Sequence, residues 1–548
     1  MNLFTIRAAL LAVVLAAACD GRSPVWDQTP SVQPLAMKRS LALVDAAAQR
    51  LVVLTVAGED QRLTTTRLPL GHDVAAAALQ PDGSRLFVLT AGRRPALGDP
   101  HPPEAPALTV VEDARADAPP AARTIDLGAV LSDPLRGLAV DPGGRWVVLW
   151  SGSNDSGGAL VANPNELVII DLARPDATPV PVTLHSFGGT PERLIFTPQL
   201  ALPGGPAHLL VVQSQQDLAL LQLEKPTTPE VTVRLSSATS IRQPRPAQVV
   251  VDDGEPARND DARIGVRFEG DSSVVTLQLE PAAGGNGYAP TVNVADVGGV
   301  PSDIAFVRTD GGLRLAALVP ASNRAVLVDS TTSITTDVPL PAPYQHLSLV
   351  GRAAGAAPST TPPSDPGADV ALLWAGGGAG GAGVAFWELG HAAGRPFRSI
   401  ETVAVASVAS VLDVPAPHAA MKVLQASGTA AFYVLDLEMR TAAPLVTSTP
   451  AVALTVSPSG QRVWTYQPPT AQLAATDLVT KHARTLRADL PVNAVFEIER
   501  TDGSGRTLVA LHQQGNVGVT LFDAEKQDDR NRRIHGALLL EGPYDKNL

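Results

Sequence analysis

One cysteine, Cys19, stands among 548 residues, so no disulfide can form within the chain and the fold must be held by burial. Lysine is nearly as scarce, with six against 54 acidic residues, and the net charge is −12. Arginine brings the basic residues to 42, but the net negative charge argues against a nucleic-acid partner, whose phosphates need a basic face to neutralise them. Long amphipathic helical patterns are missing. Aromatic residues make up 4% of the chain, and the six tryptophans are too few to supply the docking repeats of a quinoprotein. What the chain does have is 48 prolines, 46 glycines and a 45% apolar content. Short Val/Leu/Ala runs recur between turn residues, which is the pattern of an all-β protein.

Residues 1–18 carry one positive charge at Arg7, an apolar run from Ala8 to Leu15, and then Ala16, Ala17 and Ala18. The run is too short to cross about 30 Å of hydrocarbon and is expected to act as a signal peptide. Cys19 follows directly, and the segment LAAAC resembles a bacterial lipobox. That resemblance implies diacylation of the Cys19 thiol, an anchor in the membrane, and residence in the bacterial cell envelope on the periplasmic or outer-surface side. It also accounts for a lone thiol in an exported chain. Residues 19–39 are expected to be the lipidated cysteine and a polar, proline-containing tether, with the folded part spanning 40–548.

Repeats organise the rest. The stretches ending at Asp329, Asp477 and Asp523 superpose as turn, strand, turn, strand and aspartate. Upstream of such turns lies one more apolar strand, as in AVALTVSPSG. Asp82-Gly83 and Ser459-Gly460 supply the first hairpin's turn chemistry, and Asn165, Asn323 and Asn516 stand in the second. First strands are expected near Val74, Arg136, Glu192, Gln248, Asp303, His346, Ser410, Val452 and Asn493. These nine units have the length of β-propeller blades, and irregular stretches widen the expectation to seven to ten four-stranded blades in a single ring. Strands ahead of the first unit are expected to close that ring, because closure hides the edges of an open sheet.

QPDGSRLFVL and SPSGQRVWTY resemble the turn-and-strand signature of TolB-like and YVTN-type bacterial propellers, the WD40-like group. The resemblance covers most of residues 40–540. It implies the fold and leaves the function open, since such propellers include scaffolds, lactonases and cofactor enzymes.

Catalytic patterns are sparse. Asp45, Asp171, Asp329, Asp436, Asp477 and Asp523 are read as recurring at the end of the third strand, which fits turn capping, since a catalytic carboxylate is needed once. Gly376, Gly378 and Gly381 match G-x-G-x-x-G, but a strand follows where a dinucleotide site needs a helix. Asp252, Asp253, Glu255, Asp260 and Asp261 form the densest acidic cluster. Asp252, Asp253, Asp260 and Asp261 are the candidates for a divalent cation, although they lack the alternate spacing of a calcium loop. No zinc pairing, nucleophile elbow or haem motif is present, and no cofactor is expected. Two proline-rich insertions, after Gly92 and after Ala354, are long enough to project from the ring. The expectation is a monomeric, non-enzymatic lipoprotein whose propeller docks an envelope protein or a glycan. The alternative is a lactonase-like enzyme with a cation on the propeller axis.

Overall fold

The computed structural model describes residues 32–534 apart from 94–101, 117, 129–134, 152–164, 175, 177, 186–189, 236–244, 255–257, 284–286, 310, 351–369, 377–382, 390–399, 448–452, 468–469, 489, 513–517 and 526–530. Cys19, Glu255, Gly378, Gly381, Asn516, the second proline-rich insertion and most of the first lie outside the described residues.

Every strand belongs to one of ten four-stranded antiparallel sheets, and in each sheet the strands lie side by side in chain order. The sheets span residues 32–69, 74–126, 137–183, 191–234, 246–296, 303–339, 346–403, 408–446, 453–487 and 494–534, and are called blades 1 to 10. The chain is therefore an all-β propeller. First strands of neighbouring blades approach one another, as in blades 2 and 3 or 5 and 6, and so lie innermost. Outermost strands are the exposed ones, such as Ala121–Asp126.

The core is divided rather than central. Among the described residues ten apolar clusters form, and each joins two consecutive blades. Ten sheets in an open row would have nine interfaces. The tenth joins blade 10 to blade 1, with Leu41, Leu43 and Leu54 packed against Val509, Leu511 and Leu521, so the row is a closed ring. Fully burying a leucine or valine contributes about 1.5–3 kcal/mol, which makes these interfaces the main source of stability.

The nine expected first strands begin within two residues of the observed ones, from Val74 to Ala494. The ring holds one blade more than the nine units counted. The N-terminal strands do close it, but as a complete blade: Val32–Ala36 pairs with Ser40–Asp45, and the last blade supplies its own outer strand, Asn531–Ile534. Val32–Ala36 falls within the stretch read as tether. Its Pro34 is tolerated because an innermost strand is a sheet edge, where one backbone face has no ladder partner.

Because every blade is a meander, first strands run from one face of the ring to the other. The face where they begin, shared with the hairpins between second and third strands, is here the upper face. The lower face holds the turns between first and second strands and between third and fourth. Gly83 (φ 70°) and Gly460 (φ 69°) sit in the former, where the left-handed backbone is required. Asn323 (φ 49°) does the same in an upper hairpin.

Candidate functional site

Loops at the two mouths of the ring bring together side chains distant in sequence. The acidic cluster lies at the lower mouth. Asp252 ends the inner strand of blade 5, Pro246–Asp252, and its Oδ1 accepts the Gly254 amide at 2.8 Å. Gly254 has φ +74°, and a Cβ on it would stand 2.5 Å from the Asp261 Cγ, so the turn that brings these carboxylates together requires glycine. Arg308, on the inner strand of blade 6, places Nη2 3.5 Å from Asp252 Oδ1 and donates to the Gly254 carbonyl at 3.0 Å. Asp253 reaches the other way and accepts the Ala201 amide of blade 4 at 2.7 Å.

This cluster therefore ties three blades together. Burial pushes the Asp253 carboxyl up, and the negative charges of Asp252 and Asp261 add to the rise against the Ala201 amide and Arg308. Asp260 lies apart in function: it is exposed and held by Arg258 at 3.0 Å and 3.2 Å, which lowers its carboxyl. Asp261 is buried, 3.9 Å from the same arginine. Of the four cation candidates, Asp252, Asp253 and Asp261 come close enough to interact electrostatically, while Asp260 turns to Arg258. Among the described residues no group of three or more His, Cys, Asp or Glu is arranged to hold a metal ion.

At the lower interface of blades 3 and 4 the structure assembles a second cluster. The Arg145 guanidinium lies 4.2 Å over the ring of buried Trp146, and the His208 ring packs on the same indole at 4.8 Å, tilted by 55°. His208 Nδ1 meets Glu224 Oε1 at 2.7 Å. Burial raises the nearby Asp141 carboxyl, against the opposing effects of the Arg145 amide and of His208. Sequence reasoning passed over these residues. Their one visible signal is an arginine opening the second strand of a blade opposite an acid that closes the third, as in Arg85–Glu112, Arg145–Asp171 and Arg314–Asp329 at 2.9, 3.2 and 3.3 Å.

The recurrent aspartates cap turns. Asp171 accepts Ala173, Asp436 accepts Glu438 and Met439, and Asp477 accepts Val479 and Thr480, at 2.7–3.0 Å. Asp329 and Asp523 do the same at the ends of their third strands. Asp45 caps Ala48 at 3.1 Å but ends a second strand, on the upper face; it entered the series because blade 1 is offset from the repeat as read in sequence.

At the upper mouth, acids also bridge blades. Asp73 pairs with Arg136 at 2.8 Å, and Glu192 with Arg245 at 3.2 Å. Asp303 accepts Gln248 from blade 5 at 2.6 Å and the Leu347 amide from blade 7 at 2.8 Å. His72, whose Gly71-His72 pair superficially matches a WD40 signature, contacts Glu104 through its ring. Gly376 donates to Gln345 Oε1 at 3.2 Å, just after the strand Val370–Trp374, which pairs antiparallel with Val384–Glu388.

No protein-family model and no curated protein matches the chain. Similar solved structures include the dihydro-heme d1 dehydrogenase NirN, at 13% identity over 92% of this chain and 75% of that one, with a TM-score of 0.36. Apo AztD from Citrobacter koseri is 13% identical over 82% and 94%, with a TM-score of 0.35. The periplasmic gluconolactonase PpgL of Pseudomonas aeruginosa is 17% identical over 55% and 83%, with a TM-score of 0.27. These likenesses are too distant to transfer a function, and the ten-bladed propeller stands on the strand pairing of the chain itself.

Proposed function

We propose that the chain is an exported lipoprotein, anchored through Cys19, whose propeller is a non-enzymatic docking platform in the cell envelope for a protein or a glycan. The observation that supports a platform is the employment of the mouth-lining acids. Asp73, Glu192, Asp252, Asp253 and Asp303 each bind a neighbouring blade's arginine, glutamine or backbone amide. Side chains engaged in holding blades together make a rigid surface, and rigid scaffolds present loops for recognition.

The anchor is tested by labelled-palmitate incorporation into the full chain and its Cys19→Ala variant: label on the first and none on the second is expected. Label on neither overturns the anchor. The platform is tested by native mass spectrometry of the mature protein. A stoichiometric divalent cation, lost on Asp253→Asn, would overturn it in favour of a lactonase-like enzyme with its metal at the lower mouth.

A further inference from the structure

Topology gives this ring a direction relative to a membrane. Val32, the first residue of the innermost strand of blade 1, stands on the upper face beside the channel. Twelve residues separate it from Cys19, and a chain of that length reaches roughly 40 Å when fully extended. A blade is four strands wide, about 15–20 Å, and its strands are about 20 Å high. To turn the lower face toward the bilayer, the leash would have to pass around a blade, using nearly all its reach, or thread the channel and use half.

The third-to-fourth turns of the lower face carry the capping carboxylates Asp171, Asp329, Asp436, Asp477 and Asp523, of which Asp171, Asp329 and Asp523 are paired with Arg145, Arg314 and Arg500. Ile334, Met439 and Val479 are exposed on those turns, at 63%, 72% and 56%, but each lies within five residues of a capping aspartate.

We propose that the upper face, with the first-strand starts and the hairpins between second and third strands, is held against the lipid bilayer, and that the capped lower face looks away from it. This rests on the anchor through Cys19. The lower mouth, with the Asp252–Arg308 cluster, is then the side open to a soluble partner.

With Cys19 acylated, an introduced cysteine is the one reactive thiol. Ala321→Cys, exposed on an upper hairpin of blade 6, and Met439→Cys, on a lower turn of blade 8, are labelled with a fluorophore in the full-length lipidated protein. Each is bound to vesicles of phosphatidylethanolamine and phosphatidylglycerol carrying a headgroup nitroxide quencher. Loss of fluorescence at position 321 with little at 439 is expected. Equal quenching, or quenching at 439 alone, in protein that floats with the vesicles overturns the orientation and leaves the anchor standing. Failure to float overturns the anchor and the orientation with it.

Discussion

The backbone amide of Gly58 donates to the carboxylate of Asp502 at 2.8 Å, joining residues 444 positions apart. Around it, Glu499 and Thr501 donate their amides to Lys38 and Val56 carbonyls at 2.9 Å, so blade 10 is bound to blade 1 by a polar seam over the apolar one. The Ser504 hydroxyl, the Ser504 amide and then the Gly58 amide hold the Asp502 carboxyl below its ordinary range. A lowered folded value means that this stabilisation is present above pH about 4 and is lost as pH falls through the folded value. Asp502→Ala is expected to lower stability by under about 1 kcal/mol at neutral pH, since the site is exposed. Urea unfolding should show the difference from the parent shrinking below pH about 4.

Glu497 is a stronger test of how blades are joined. It is buried, accepts Ser457 Oγ and Trp464 Nε1 at 2.8 Å each, and lies 3.5 Å from Arg506. Glu497→Ala leaves the Trp464 indole N–H without its acceptor and removes one of the two carboxylates facing Arg506, which keeps Glu499 at 2.9 Å, and is expected to cost about 1–3 kcal/mol. Glu497→Gln, which keeps the shape and one acceptor oxygen, should cost visibly less. Equal losses in the two variants, measured by denaturant unfolding, would show that packing rather than charge pairing dominates there.

Asp253 runs in the opposite direction. Its carboxyl is raised by burial first and by Asp252 and Asp261 next, so its charged form is disfavoured in the fold. Stability contributed by the neutral form is therefore lost as pH rises through the raised value. Asp253→Asn keeps an acceptor for the Ala201 amide and removes the repulsion. It is expected to raise the unfolding midpoint at pH 7 and to match the parent below pH about 4. A lower midpoint at pH 7 would mean that the charge is engaged by Arg308 more than it is repelled.

Leu511 lies in the cluster joining blades 10 and 1 and is 1% exposed. Leu511→Ala is expected to cost about 2–5 kcal/mol. If the ring closes as one cooperative unit, calorimetry should show a single transition moving down. A new early transition would show the seam opening ahead of the blades.

Nine of the ten blades were legible because turn residues and apolar runs repeat within each blade's own stretch of chain. Of the first, the outer strands were legible and the innermost was not, because Val32–Ala36 reads VQPLA: a proline and a glutamine are acceptable on an inner edge but look like a tether. The acidic cluster was visible as a run of aspartates, yet its partners Arg308 and Ala201 come from neighbouring blades some fifty residues away. The Trp146–His208 contact is a pairing between blades too, and local pattern carries no record of it. Within-blade chemistry is periodic and readable; between-blade chemistry depends on a ring that has to be built first.

The seam also fixes an order of events. Since no strand is exchanged, each blade is complete once its own residues have emerged, and its loops are closed over short stretches of chain. A chain delivered N-terminus first, from a ribosome or a translocation channel, can lay down nine blades as a growing arc. The bare face of blade 1, with Leu41, Leu43 and Leu54, must wait for residues 494–534 to cover it. Until then the arc carries an apolar end, which makes the closing blade the step at which a chaperone would have something to hold.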